Sequence, residues 1–178
     1  LPLYPSLKVY AVPNRDSVKY AKMYGIADTT KTMLRGTLRY PGFASFVQLV
    51  RELGFMSSEP SEWVKKKDLT WLELTRHQLI LTQERLNVPA QERVSKTASA
   101  SEVRHGLELL LPHVYQTPSK HPRVVEGLEW FGMLSDSLEV DPQSAPQEPN
   151  TLMEALCYLL CGKLAATSTD RDCIIMHH

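Results

Sequence analysis

Strand-type patterning is confined to the two ends of this chain, and that confinement restricts the folds open to it. In residues 7–12, apolar Leu7, Val9 and Ala11 alternate with Lys8, Tyr10 and Val12, the period of a strand with one face covered. Residues 30–40 carry Thr32, Leu34, Thr37 and Tyr40 and read as a second strand, with Gly36 marking a bulge or a close backbone approach. The third signal is Cys173–Met176, a continuous apolar run of the kind that is covered on both faces. Such a run needs a sheet, and the only other strands precede residue 41. The expected fold is therefore α+β and mainly helical: a few-stranded α/β unit, split between residues 1–55 and 170–178, with residues 56–169 as an all-helical insertion.

Between those ends the period is helical. Asp16 or Ser17 is placed to cap a helix over 17–24 that Gly25 stops. Pro41-Gly42 turns into a helix over 43–53 with Phe43, Phe46, Val47, Val50 and Leu53 as its core stripe. Leu69 to Leu81 forms the next helix, and the polar, Ala/Ser/Thr-rich residues 87–100 read as a mobile linker. A helix follows over 101–114, then one over 122–132 with Pro122 at its first position and Gly132 as its stop. Pro142, Pro146 and Pro149 mark residues 136–149 as a solvated loop. Asn150 or Thr151 is placed to cap a helix striped with Leu152, Leu156, Leu159, Leu160 and Leu164, and Thr151 with Glu154 matches the capping-box pattern.

Charge and composition exclude several classes. Twenty basic and twenty acidic side chains cancel, so no net field draws the chain to nucleic acid or an anionic membrane. No apolar run is long enough to span a bilayer. Leu1 to Pro5 lacks the basic and apolar regions of a secretory signal, and a start at Leu1 rather than Met reads as a piece of a longer polypeptide. Cys157, Cys161 and Cys173 are too few for a disulfide framework. The first two stand one helical turn apart without histidines to complete a zinc set, and are expected in the core. His77, His105, His113 and His121 show no metalloprotease spacing and are expected to be structural or solvent-facing; His177 and His178 end the last strand. Lys65-Lys66-Lys67 reads as a solvated face.

Chemistry concentrates in the first forty residues. Arg35-Gly36-Thr37-Leu38-Arg39 sets two guanidiniums four residues apart around a Gly-Thr step, and strand alternation sends Arg35, Thr37 and Arg39 to one face. Asn14 and Arg15 follow the first strand and precede a helix N-terminus, where α/β sheets commonly bind anions. A guanidinium holds a carboxylate through two parallel N–H···O bonds and keeps its charge. The competing reading makes Arg35 and Arg39 solvated strand residues, pairs Arg15 with Asp16 or another acid, and leaves Asn14 and Asp16 as turn and cap residues.

Asn14-Arg15-Asp16-Ser17 followed by Arg35-Gly36-Thr37-Leu38-Arg39-Tyr40 resembles the C-terminal half of the glutamate-forming saccharopine dehydrogenases, a region also found in aminoadipic semialdehyde synthases. Gly127-Leu128-Glu129-Trp130-Phe131-Gly132-Met133 and the ending Arg171-Asp172-Cys173-Ile174-Ile175-Met176-His177-His178 resemble two later segments of that family, in the same order; residues 56–120 carry little of the likeness. The resemblance implies an α/β substrate and dimerisation domain with an inserted helical domain, and saccharopine as the bound small molecule. Arg15 would grip one carboxylate, with Thr37 and the Gly36 backbone on another polar end. Asn14, Arg35 and Arg39 complete the candidate substrate-binding set. It also implies NAD or NADP held by a Rossmann domain elsewhere in the polypeptide, since no Gly-x-Gly-x-x-Gly occurs here. Relatives of this kind occur in cytosol and mitochondria. Two other readings stay open: a helical interaction module without catalysis, and a related polyamine-pathway dehydrogenase of the carboxynorspermidine type.

Overall fold

A computed structural model of the chain describes residues 8–13, 17–116, 123–140 and 147–169. The features expected at Asn14, Arg15 and Asp16, at His121 and Pro122, at Pro142 and Pro146, and over the terminal strand Cys173–Met176 with His177 and His178 lie outside those residues. Two compact units emerge, Leu1–Ser45 and Phe46–His178.

In the first unit, strands β1 (Tyr10–Pro13) and β2 (Gly36–Arg39) pair antiparallel, with Tyr10 opposite Arg39 and Pro13 opposite Gly36. Helix α1 (Lys19–Met23) lies in the connection between them. Both strands are shorter than their sequence patterns. Residues 30–35 are not strand; among the described residues the ladder ends at Pro13–Gly36. Pro13 is paired rather than excluded, at the end of the ladder, where a missing N–H costs least. At Gly36 the partner backbone is close: a Cβ there would stand 3.0 Å from the Val12 carbonyl oxygen. The close approach read from the sequence thus serves strand pairing. The apolar side chains that alternate with Arg35, Thr37 and Arg39, namely Leu34, Leu38 and Tyr40, are exposed among the described residues.

The second unit is helical. Helix α2 (Phe43–Glu52) runs into it and is followed by α3 (Trp71–Arg85), a short 3-10 helix (Ala90–Glu92), α4 (Ala100–Val114), α5 (Val124–Phe131) and α6 (Leu152–Leu164). Three of these helices start on reciprocal capping boxes, Thr70–Glu73, Ser99–Glu102 and Thr151–Glu154. Each box satisfies backbone donors that the first helical turn leaves without partners. Leu49, Leu53, Phe55, Leu74, Leu107, Leu110 and Leu128 are fully buried at the centre. Main-chain bonds tie distant loops to helix starts: Trp71 donates to Leu138 at 2.9 Å and Leu72 to Ser135 at 2.8 Å. Ser61 donates to Asn150 at 2.9 Å and Met153 to Ser57 at 3.1 Å, which fixes the start of α6 against the segment after α2. Arg104 of α4 pairs with Glu129 of α5.

Several expectations change here. The segment over 87–100 is an ordered strap, not a mobile linker. The Gln83 side chain accepts from Val94 N–H at 2.9 Å and donates to the Glu92 carbonyl at 3.4 Å. Arg93 donates to the Val88 carbonyl at 2.7 Å, Arg76 to the Ala98 carbonyl at 2.8 Å, and Val88 and Ala98 are buried. Helix α3 runs past Leu81 to Arg85 because its last turn buries polar Thr82 and Gln83. Thr82 donates to the Glu52 carbonyl at 3.2 Å. Phe43 is 45% exposed instead of core. Cys157 and Cys161, expected in the core, are both exposed. The buried positions of α6 are Leu152, Ala155 and Leu156, so its later turns rise out of the interior, and Leu164, expected on the stripe, is exposed.

Candidate functional site

Each described arginine of the candidate set rests on an aromatic ring. The Arg35 guanidinium carbon lies 4.0 Å from the ring centre of Tyr20, on α1. That of Arg39 lies 4.8 Å from the ring centre of Phe43, the first residue of α2. Arg39 also donates to the Leu38 carbonyl at 3.1 Å. Among the described residues, neither guanidinium is paired with a carboxylate. Arg35, Gly36 and Thr37 are exposed and Arg39 half-buried.

Stacking on a ring occupies the face of a guanidinium and leaves its N–H edge open to a planar anion. At an exposed site the stacking is worth only about 0.5–1 kcal/mol. So weak a contact does not compete with a carboxylate, although Nη1 of Arg39 is already engaged by the Leu38 carbonyl. The hydroxyl of Thr37 lies between the two arginines in sequence and supplies a donor and an acceptor. The antiparallel register brings the exit of β1 beside the entry of β2. The Ser17 hydroxyl donates to the Arg35 carbonyl at 3.5 Å, which ties the two segments at that end. Asn14 and Arg15 lie between Pro13 and Ser17 in sequence, outside the described residues. Sequence reading missed the aromatic shelves. Phe43 was expected in the core, although an aromatic four residues beyond Arg39 was visible.

The helical unit has a cleft of its own, about 550 Å³, lined by Trp63, Lys66, Arg76, His77, Glu84 and Lys96 among others. His77 stacks on Trp63 with ring centres 3.7 Å apart, and the Lys66 ammonium lies 3.0 Å from the Trp63 ring centre. Burial pushes the His77 imidazole below its ordinary 6.5, and Lys66 adds to that. The fold therefore favours neutral His77, while the unfolded chain takes up the proton first. Stability from this group is present above about 6.5 and is lost as the pH falls from there through the lowered value. Thermal melts between about pH 7 and about pH 5 should show a steeper loss in the wild type than in His77→Phe, which keeps the stack without titrating. Equal slopes would remove His77 as the source.

Among the described residues no helix is long and apolar enough to cross a membrane. A sequence profile of the saccharopine dehydrogenase C-terminal domain matches residues 1–178. The chain belongs to this family. It is 28% identical over 176 residues to saccharopine dehydrogenase [NADP(+), L-glutamate-forming] of Pyricularia oryzae, covering 99% of this chain and 34% of that protein. It is 30% identical over 175 residues to the mitochondrial alpha-aminoadipic semialdehyde synthase of Bos taurus, covering 97% of this chain and 16% of that protein. The chain therefore spans about a third or less of the length of these curated relatives. Among solved structures, apo saccharopine dehydrogenase (L-Glu forming) from Saccharomyces cerevisiae matches with a TM-score of 0.58 at 23% identity, over 88% of this chain and 30% of that one. That likeness is one of fold. Among the described residues this family member is mostly helical with a small two-stranded sheet, an α+β arrangement.

Proposed function

We propose that this chain is the carboxylate-holding and helical part of a glutamate-forming saccharopine dehydrogenase of lysine metabolism. The observation that carries this reading is the pair of ring-backed guanidiniums, without acid partners among the described residues, on either side of Thr37 in a chain matched by the family over its whole length. Saccharopine has three carboxylates and two amines, so holding it takes cationic forks at several points. Arg15 grips one carboxylate, with Asn14 beside it as a further polar contact. Thr37 and the Gly36 main chain fix another polar end, and Arg35 and Arg39 supply the remaining forks.

The family resemblance implies the rest of the reading, and the relatives' names agree with its glutamate-forming, NADP-linked part. In the full-length protein a nicotinamide cofactor, NAD or NADP, accepts hydride from the secondary amine, and hydrolysis of the product yields glutamate and aminoadipic semialdehyde. This chain has no glycine fingerprint for the cofactor, which is held by a Rossmann domain elsewhere in the polypeptide. The present residues bind and orient the substrate, and alone they do not turn it over. In the full-length enzyme residues 1–55 and 170–178 belong to the split substrate-binding and dimerisation unit, with 56–169 inserted, although Phe46 to Phe55 pack with the helical unit here, and the enzyme works as a homodimer in cytosol or mitochondria.

The test is titration of the full-length protein with saccharopine, with glutamate and carboxynorspermidine in parallel. Saccharopine is expected to bind best. Arg15→Ala should raise its KM at least about tenfold, the loss of about 1.4 kcal/mol or more from one charge-assisted contact. Preference for carboxynorspermidine would move the chain to polyamine chemistry, and no binding of any of the three would leave it a helical interaction module. Unchanged kinetics in Arg15→Ala would take Arg15 out of the site.

A further inference from the structure

Cys157 and Cys161 are exposed together, one turn apart on α6. We propose that they form a two-thiol site for a soft, thiophilic centre of the trivalent-arsenic type. Residues at this spacing on a helix hold their Cβ atoms about 5–6 Å apart. A disulfide needs about 3.5–4.5 Å between Cβ atoms, so an intact α6 keeps the two sulfurs from bonding to each other. An atom inserted between the sulfurs spans the gap without unwinding the turn.

The surroundings select the kind of atom. Among the described residues no group of three His, Cys, Asp or Glu side chains is placed to hold a metal, so ions that demand three or four protein ligands are poorly served. A trivalent arsenical needs only two thiolates, its third position being filled by its own substituent. Cys161 also forms part of the wall of a groove of about 610 Å³ with Trp71, Phe131, Leu138 and Leu159, which can receive an aryl substituent. With phenylarsine oxide, two As–S bonds form, the As–O bond breaks, and both thiol protons leave with that oxygen as one water. Arsenic stays trivalent and no electrons are transferred.

The experiment uses the chain with Cys173→Ser, so that only this pair reports, and adds phenylarsine oxide under native conditions. Intact mass is expected to show one phenylarsenic per chain, with both thiols then closed to maleimide. Cys157→Ser and Cys161→Ser, each checked for native helix content by circular dichroism, should bind about a hundredfold more weakly because the second bond is lost. The same adduct is expected in the full-length protein carrying Cys173→Ser, with Cys157→Ser and Cys161→Ser in that background as its controls. A single variant that binds as tightly as the pair, two arsenicals per chain, an adduct that forms only after unfolding in urea, or an adduct absent from the full-length protein would each overturn the proposal.

Discussion

Arg35→Ala combined with Arg39→Ala, made in the full-length protein, should raise the KM for saccharopine about a hundredfold or more and leave the melting temperature almost unchanged. Each charge-assisted contact is worth about 1.5–3 kcal/mol, so two together exceed two decades at about 1.4 kcal/mol per decade. The stability cost is small because both arginines lie on rings at the surface, Tyr20 and Phe43, where the stacking is worth about 0.5–1 kcal/mol each. The lysine versions make the test sharper. Lysine keeps the charge and loses the planar fork, so Arg35→Lys with Arg39→Lys should recover part of the affinity and not all of it. A KM within about threefold of wild type in the alanine pair, which is under about 1 kcal/mol, would make these arginines solvated surface residues.

Trp71→Ala is expected to cost about 3–5 kcal/mol of unfolding free energy, the largest single effect in the helical unit. Its side chain is 1% exposed, and its ring centre stands 5.9 Å from that of Phe55. It is also the first residue of α3, with its N–H donating to Leu138. Removing the indole leaves a void where α3, the Phe55 segment and the 135–140 loop converge. Against a typical domain stability of about 5–15 kcal/mol, that is a large fraction. Urea unfolding followed by circular dichroism measures it: the midpoint should fall while the slope stays the same. Trp71→Phe keeps most of the packing and should lose much less. A midpoint unmoved by Trp71→Ala would mean that the surrounding side chains close the void without cost.

Much of the helical unit was legible because its signals are local. The Thr151–Glu154 box reads directly from spacing, and Gly132 stops α5 in the left-handed conformation, φ 94°, as a glycine at that position should. The boxes at Thr70–Glu73 and Ser99–Glu102 carry the same pattern and were equally available. The strap over 87–100 was not legible. Its order comes from Gln83, Arg76 and Arg93 bonding to main-chain groups, and polar residues of that kind leave no apolar period to read. Burial of α6 failed for a related reason: its stripe is apolar throughout, but only its first turns are fully buried, with Leu159 and Leu160 half-buried against the core and Leu164 exposed. At the candidate site, residue types and order were legible in Arg35, Thr37 and Arg39. The rings beneath the two guanidiniums were not, since alternation along a strand says nothing about which helix residue comes to rest below it.

Gln83 has a consequence for how this family member can vary. Its amide grips main-chain atoms, the N–H of Val94 and the carbonyl of Glu92, so the grip depends on the path of the loop and not on which side chains the loop carries. Surface substitutions at Gln91, Ser95, Lys96 or Thr97 can therefore drift without loosening it. A carboxylate at position 83, unable to donate, would let go of one end.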